Sequence, residues 1–228
     1  MSAHSAETGK RLGFQPGFGP WVSGRAGAMG EVPAEVAAGA IGFMEPTMAI
    51  ELWNSRPASV SALDAAYAYA QAASAWARET WADAADDDLE RLAELAAKVA
   101  DSALPVYGGI FAGWRALERP EEPAGRVAVI LNVLRELRGG AHLTAIQAVG
   151  LTPHDAIISV AKDSVRGGVA GAERFGWPAP HPEPQHAARV EAETITTAIT
   201  APIFDVLTDS ERSEFAGLIA RVRKMVEM

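Results

Sequence analysis

From Val127 the chain runs VAVILNVLREL, nearly all apolar to Leu134, and its spacing continues in helical register through Leu137. Taken alone, Val127 to Leu134 has the composition of a buried strand. A strand must pair its backbone with a neighbour, and no second segment of strand composition exists in the 228 residues. The stretch therefore reads as a central helix, and the fold around it as all-α, since helices with no sheet to cover bury their apolar stripes against one another.

Helical spacing fills most of the remaining chain. After a Gly/Pro-rich opening, Gly13 to Gly30 with Phe14, Phe18 and Trp21, a helix is expected from Pro33 toward Ile50, ended or kinked by Pro46. Residues 61–82 are rich in Ala, with Ser61 as a cap and Tyr67, Tyr69, Trp76 and Trp81 for packing. Asp86, Asp87 and Asp88 suit a helix N-terminus, and Leu89, Leu92, Ala96 and Val99 then share one face. Pro105 opens a shorter segment holding Tyr107, Phe111 and Trp114. Thr152-Pro153-His154-Asp155 begins a helix expected to reach Val165. Thr208 to Glu211 is spaced as a capping box for a final helix striped by Phe215, Leu218, Ile219, Val222 and Val226, which should pack on the segment Gln185 to Leu207. The four prolines of FGWPAPHPEP, Phe175 to Pro184, make a connector.

The expected architecture is an all-α multi-helix bundle with long terminal helices. Residues 1–120 form its N-terminal part and residues 121–228 the rest, the whole being one compact unit.

Composition removes several classes of function. With 20 basic and 29 acidic residues the net charge is −9, a field that opposes phosphate backbones unless basic residues cluster, and no cluster is evident. The absence of cysteine excludes thiolate catalysis and thiolate metal sites. No apolar run reaches the roughly 20 residues of a membrane span, and MSAHSAETGKRLG has no apolar signal core, so the expected location is the cytoplasm. Phosphate loops, dinucleotide fingerprints and Gly-x-Ser-x-Gly elbows are missing. Ser159-Val160-Ala161-Lys162 matches Ser-x-x-Lys without its companion motifs and reads as chance. His181 and His186 flank Glu183 without a third ligand of suitable spacing, so a solvated loop is expected and no metal is assigned.

Three polar residues draw attention. Gly139-Gly140 reads as a helix stop that leaves His142 at a helix start, where an imidazole can serve as a general base, a ligand to haem iron or a donor into a cavity. The simpler alternative is a histidine bonded to a backbone carbonyl. Glu45 lies in apolar IGFMEPTMAIELW, where a carboxylate has a raised pKa unless it is paired or faces water. Arg138 lies near His142. Six tryptophans and further aromatics, with Trp53, Tyr107 and Trp114 as candidate lining residues, can wall an apolar cavity among helices.

SGRAGAMGEVPAEVAAG, VLRELRGGAH with LTAIQAVGL, and DVLTDSERSEFAGLIARVRKM occur in an order that resembles an actinobacterial all-helical family labelled helix-turn-helix, or MarR-like. Arg138 and His142 fit its pattern; Glu45-Pro46 replaces a His-Pro pair, and Leu137 replaces a His. Where that family carries a recognition helix and wing after a Gly-Trp pair, this chain has PAPHPEPQHAARVEAE after Gly176-Trp177, too short for both. A helix-turn-helix over Ala141 to Val165 would read DNA with DAIISVAKDSV, which holds one Lys, two Asp and no Arg, Asn or Gln. The resemblance implies a regulator-like homodimer: residues 1–120 as the N-terminal part of a ligand-binding body, and residues 121–228 as a degenerate helix-turn-helix-like C-terminal part with the terminal dimerisation helices. The combined expectation is a binder of a small, mainly apolar organic molecule, contacted by Glu45, Arg138 and His142, that has lost DNA binding. Two alternatives stand beside it: an acid/base enzyme of secondary metabolism using Glu45 and His142, and a dimeric DNA-binding transcriptional regulator. No cofactor is assigned.

Overall fold

The computed structural model describes residues 3–160 and 167–227. Its helices are α1 (Ala3–Arg11), α2 (Gly19–Ala26), α3 (Ala34–Ile41), α4 (Pro46–Asn54), α5 (Ala62–Thr80), α6 (Asp86–Ser102), α7 (Gly109–Ala116), α8 (Pro123–Ala148), α9 (Pro153–Ile158), α10 (Gly168–Arg174), α11 (His186–Thr200) and α12 (Asp209–Val226). Tight 3-10 turns occupy Gly27–Met29, Pro105–Tyr107 and Ala201–Val206, and the described residues contain no strand. The all-α expectation holds.

α8 is the axis of the bundle. Its 26 residues pack against α5, α6, α7 and α11, so it is surrounded rather than amphipathic, which is why its sequence looks strand-like over Val127 to Leu134. One apolar core runs from Val22 through Trp114 and Val133 to Val222. Local chain chemistry sets several boundaries as expected: Ser61, Thr152 and Thr208 each close a capping box with Asp64, Asp155 and Glu211.

Four expectations are corrected. No single helix runs from Pro33 to Ile50: Gly42, at φ +78°, ends α3, and Pro46 opens α4 instead of ending a helix. Glu45 is the N-cap, and its carboxylate accepts from the Met48 amide at 2.9 Å. Gly139-Gly140 does not stop a helix but lies inside α8, placing His142 in its interior. The helix begun at Thr152 ends at Ile158; Ala161 to Val165, and with them Lys162, lie outside the described residues. Finally, α12 lies on α6 rather than along the segment Gln185 to Leu207. Leu218 and Val222 are buried there, flanked by Arg91–Glu214 at 2.9 Å, Lys98–Glu211 at 3.0 Å and Arg221–Asp88 at 3.2 Å. Charge complementarity with the acidic start of α6 selects that partner, while the Phe204–Phe215 ring contact at 6.0 Å keeps α12 in touch with the preceding turn.

Candidate functional site

A cavity of about 250 Å³ opens between α3, the first turn of α7 and the middle of α8. Glycines build it. Gly113 allows α7 to sit against the Gly27–Met29 turn, where an added Cβ would lie 2.2 Å from the Ala28 carbonyl oxygen. Gly140 allows the Pro105–Tyr107 turn to lie on α8, where an added Cβ would lie 1.6 Å from the Tyr107 carbonyl oxygen. These approaches bring Tyr107, Ile110 and Phe111 opposite Ile41, Phe43 and Leu143 as apolar walls.

A buried ion pair also lines the cavity. Arg25 donates Nε to Glu136 Oε1 at 2.8 Å and Nη2 to Oε2 at 2.7 Å, the bidentate geometry that suits guanidinium to carboxylate. The two side chains are 11% and 2% exposed, so little water shares in their solvation. Trp114 Nε1 fixes the Arg25 backbone by donating to its carbonyl at 3.0 Å, and the guanidinium carbon lies 4.5 Å from the centre of the Trp21 ring. Arg135, reaching in from solvent, donates to Glu136 Oε1 at 3.1 Å.

Of the residues singled out from sequence, Tyr107 lines the cavity and Trp114 supports it from below. Trp53 is buried elsewhere, with Arg56 stacked over it at 4.6 Å. Arg138 is directed to α11, where it pairs with Glu193. Glu45 serves α4: burial alone would raise its pKa, but the Met48 and Thr47 amides and the Thr47 hydroxyl hold the carboxyl below its ordinary value. Glu45, Arg138 and His142 do not converge on the cavity. Phe43 lies between two of them, its ring stacked on His142 at 5.7 Å, while its carbonyl accepts from Trp177 Nε1 at 2.9 Å, beside the chain crossing where the Glu45 amide donates to Phe175.

His142 is buried between α8 and α11. Its Nδ1 meets Thr196 Oγ1 at 2.8 Å, and because that hydroxyl donates onward to Ala192 at 2.7 Å, the ring donates to the hydroxyl. Its partner is thus a side-chain hydroxyl, not a backbone carbonyl. Burial first, and then the positive charge of Arg189, push its pKa down to about 4 from the ordinary 6.5, so the ring is neutral at pH 7. The unfolded chain takes up this proton near pH 6.5, whereas the folded protein resists it until about pH 4. The stability this group contributes is therefore complete above pH 6.5 and falls as the pH drops toward 4, by on the order of 3 kcal/mol. His142→Leu, which leaves Thr196 its Ala192 partner, should flatten urea-unfolding stability over that interval. An equally steep decline in the variant would place the titrating group elsewhere.

The proline connector is also clasped rather than free. His154 stacks on Trp177 at 4.8 Å and meets His181 across a 3.0 Å Nε2–Nδ1 contact, while His186 Nδ1 donates to the Ser159 carbonyl at 2.9 Å. His181 and His186 thus face separate partners instead of a shared ligand beside Glu183.

Arg25 and Glu136 are the site residues that sequence reasoning missed. Both lie in the segments that carry the resemblance, and Glu136 offered a signal: it falls three residues after Val133, on the stripe that buries Ile130 and Leu137. A carboxylate on such a stripe requires a cation, though nothing local says which of twenty basic residues supplies it.

The sequence profile of a helix-turn-helix family matches residues 1–185. The chain belongs to the helix-turn-helix family. Comparison with curated proteins and with solved structures gives no match. In this helix-turn-helix protein the matched region stops at the end of the proline connector, so it includes the cavity and the Arg25–Glu136 pair and omits α11 and α12. No helix among its described residues is long and apolar enough to cross a membrane.

Proposed function

We propose that this helix-turn-helix protein binds a small, mainly apolar organic molecule in the cavity between α3, α7 and α8. The observation that carries this is the cavity itself, a hollow of about 250 Å³ in which apolar walls meet one buried ion pair. A cavity of about 150 Å³ accepts benzene, so this one suits a ligand on the order of ten to fifteen non-hydrogen atoms. Tyr107 and Thr144 supply further polar contacts at its edge. The polar contacts thus pass from Glu45, Arg138 and His142, each engaged in holding helices, to Arg25 and Glu136. An acid/base role for Glu45 and His142 loses support for the same reason.

Gly139 gives the test. It lines the cavity, and a Cβ there would meet only Glu136 Oε2, at 4.0 Å, so a large side chain grows into the hollow without disturbing the helix. Native mass spectrometry of freshly purified protein should show a retained small molecule that Gly139→Phe lacks. If neither a retained molecule nor saturable binding of apolar fragments by ligand-observed NMR is found for the wild type, the proposal fails.

Family membership favours a second reading, DNA binding as a dimer. Against it stand the net charge of −9 and the side chains of α9, where Ala156, Ile157 and Ile158 are buried, Asp155 closes the cap and His154 is held by Trp177 and His181. A gel shift on the protein's own upstream DNA that weakens steeply with salt would reverse this preference.

A further inference from the structure

We infer that the molecule held in this cavity carries an anionic oxygen group, a carboxylate, that docks on Arg25; this rests on the cavity being a binding site. The donors around Glu136 make the case. Its carboxylate already accepts three N–H groups, Nε and Nη2 of Arg25 and Nη1 of Arg135. Arg25 is nine-tenths buried and lines the cavity. Its Nη1 makes no hydrogen bond to any described residue, leaving one arm of the fork for an incoming acceptor.

The rest of the lining points the same way. Glu136 is the one carboxylate among the described lining residues, and it is occupied. An ammonium ligand would meet Arg25 at close range with no free acid to receive it, whereas a carboxylate gains a charge-assisted hydrogen bond. The first turn of α7 lines the cavity too, and its N-cap is Gly108, which has no side chain to satisfy the turn's amides. Ile41, Phe43, Ile110, Phe111 and Leu143 then select an apolar remainder. The ligand class is thus a compact aromatic or aliphatic monocarboxylic acid. The overall charge of −9 does not oppose it, because exposed charges are screened within about 8 Å at physiological salt.

The experiment is isothermal titration of the full chain with three probes of one shape: 2-naphthoate, 2-naphthamide and 2-(aminomethyl)naphthalene. Wild type should bind naphthoate about tenfold or more tighter than naphthamide, with the amine weakest. Since breaking the pair from either side costs stability, the matched variant is Arg25→Met/Glu136→Leu, which removes both charges together. Whatever affinity it keeps for naphthamide, the advantage of naphthoate over naphthamide should shrink to less than about threefold. Equal binding of amide and acid by the wild type overturns the anion and leaves the cavity standing. Persistence of the tenfold gap in the double variant also overturns it, by placing the anion contact elsewhere. If a wild type that is folded by circular dichroism binds none of the three, the inference and the proposed cavity function fall together.

Discussion

Gly140→Ala should cost about 3 kcal/mol of folding stability, while Gly139→Ala, one residue earlier, should raise it by roughly 0.5–1 kcal/mol. Both glycines lie inside α8, where alanine is the better helix former. They differ in what a methyl group would meet. At Gly139 the nearest atom is a side-chain oxygen 4.0 Å away, ordinary contact. At Gly140 it is the Tyr107 carbonyl oxygen at 1.6 Å, with the carbonyl carbon at 2.9 Å, both backbone, so the whole Pro105–Tyr107 turn must retreat. Urea unfolding of the two variants measures the contrast directly. Equal effects would mean that the turn does not rest on α8 there, and the cavity it helps to wall would lose its geometry.

Glu136→Leu should be the more damaging way to break the buried pair, at about 3–5 kcal/mol, because it strands a guanidinium that is only 11% exposed. Arg25→Met should cost less, about 1–3 kcal/mol, since the carboxylate keeps Arg135 at 3.1 Å as a partner that reaches solvent. Combining the two removes both desolvated charges and fills the space with apolar atoms. The double variant should return to within about 2 kcal/mol of wild type, a coupling that a double-mutant cycle reads out as strong non-additivity. Additive losses would show that each side chain acts through separate contacts and that the pair is not a unit.

What the sequence made legible was the chemistry that neighbouring residues settle among themselves. Ser61, Thr152 and Thr208 announce helix starts because each bonds a residue three positions on. Pro46 was ambiguous: the same ring that stops one helix opens another, and the choice fell to Glu45, not among the side chains most favoured as caps. Gly139-Gly140 misled for a different cause. Two glycines in a row look like a break until the distant Tyr107 turn is brought against the second of them. The candidate site divides in the same way. Tyr107 was found through its aromatic surroundings, whereas Arg25 and Glu136 meet across 111 residues, a separation over which no local pattern reports. His142 drew attention as an imidazole beside a glycine pair; the structure buries it, and its partner, Thr196, is 54 residues on, in a helix whose docking side no spacing reveals.

The docking of α11 along α8 has a consequence for how this chain divides. The family match ends at residue 185, yet α11, which begins at His186, covers His142 and, through Ala192, packs with Ala145 and Ile146. A chain stopped at the match boundary would leave that stripe of the axial helix bare to water, together with an imidazole lacking its hydroxyl. The recognisable region is therefore not self-sufficient here. Any cousin whose sequence diverges beyond this point must roof the same stripe by some other means, with a differently built tail or with a second subunit.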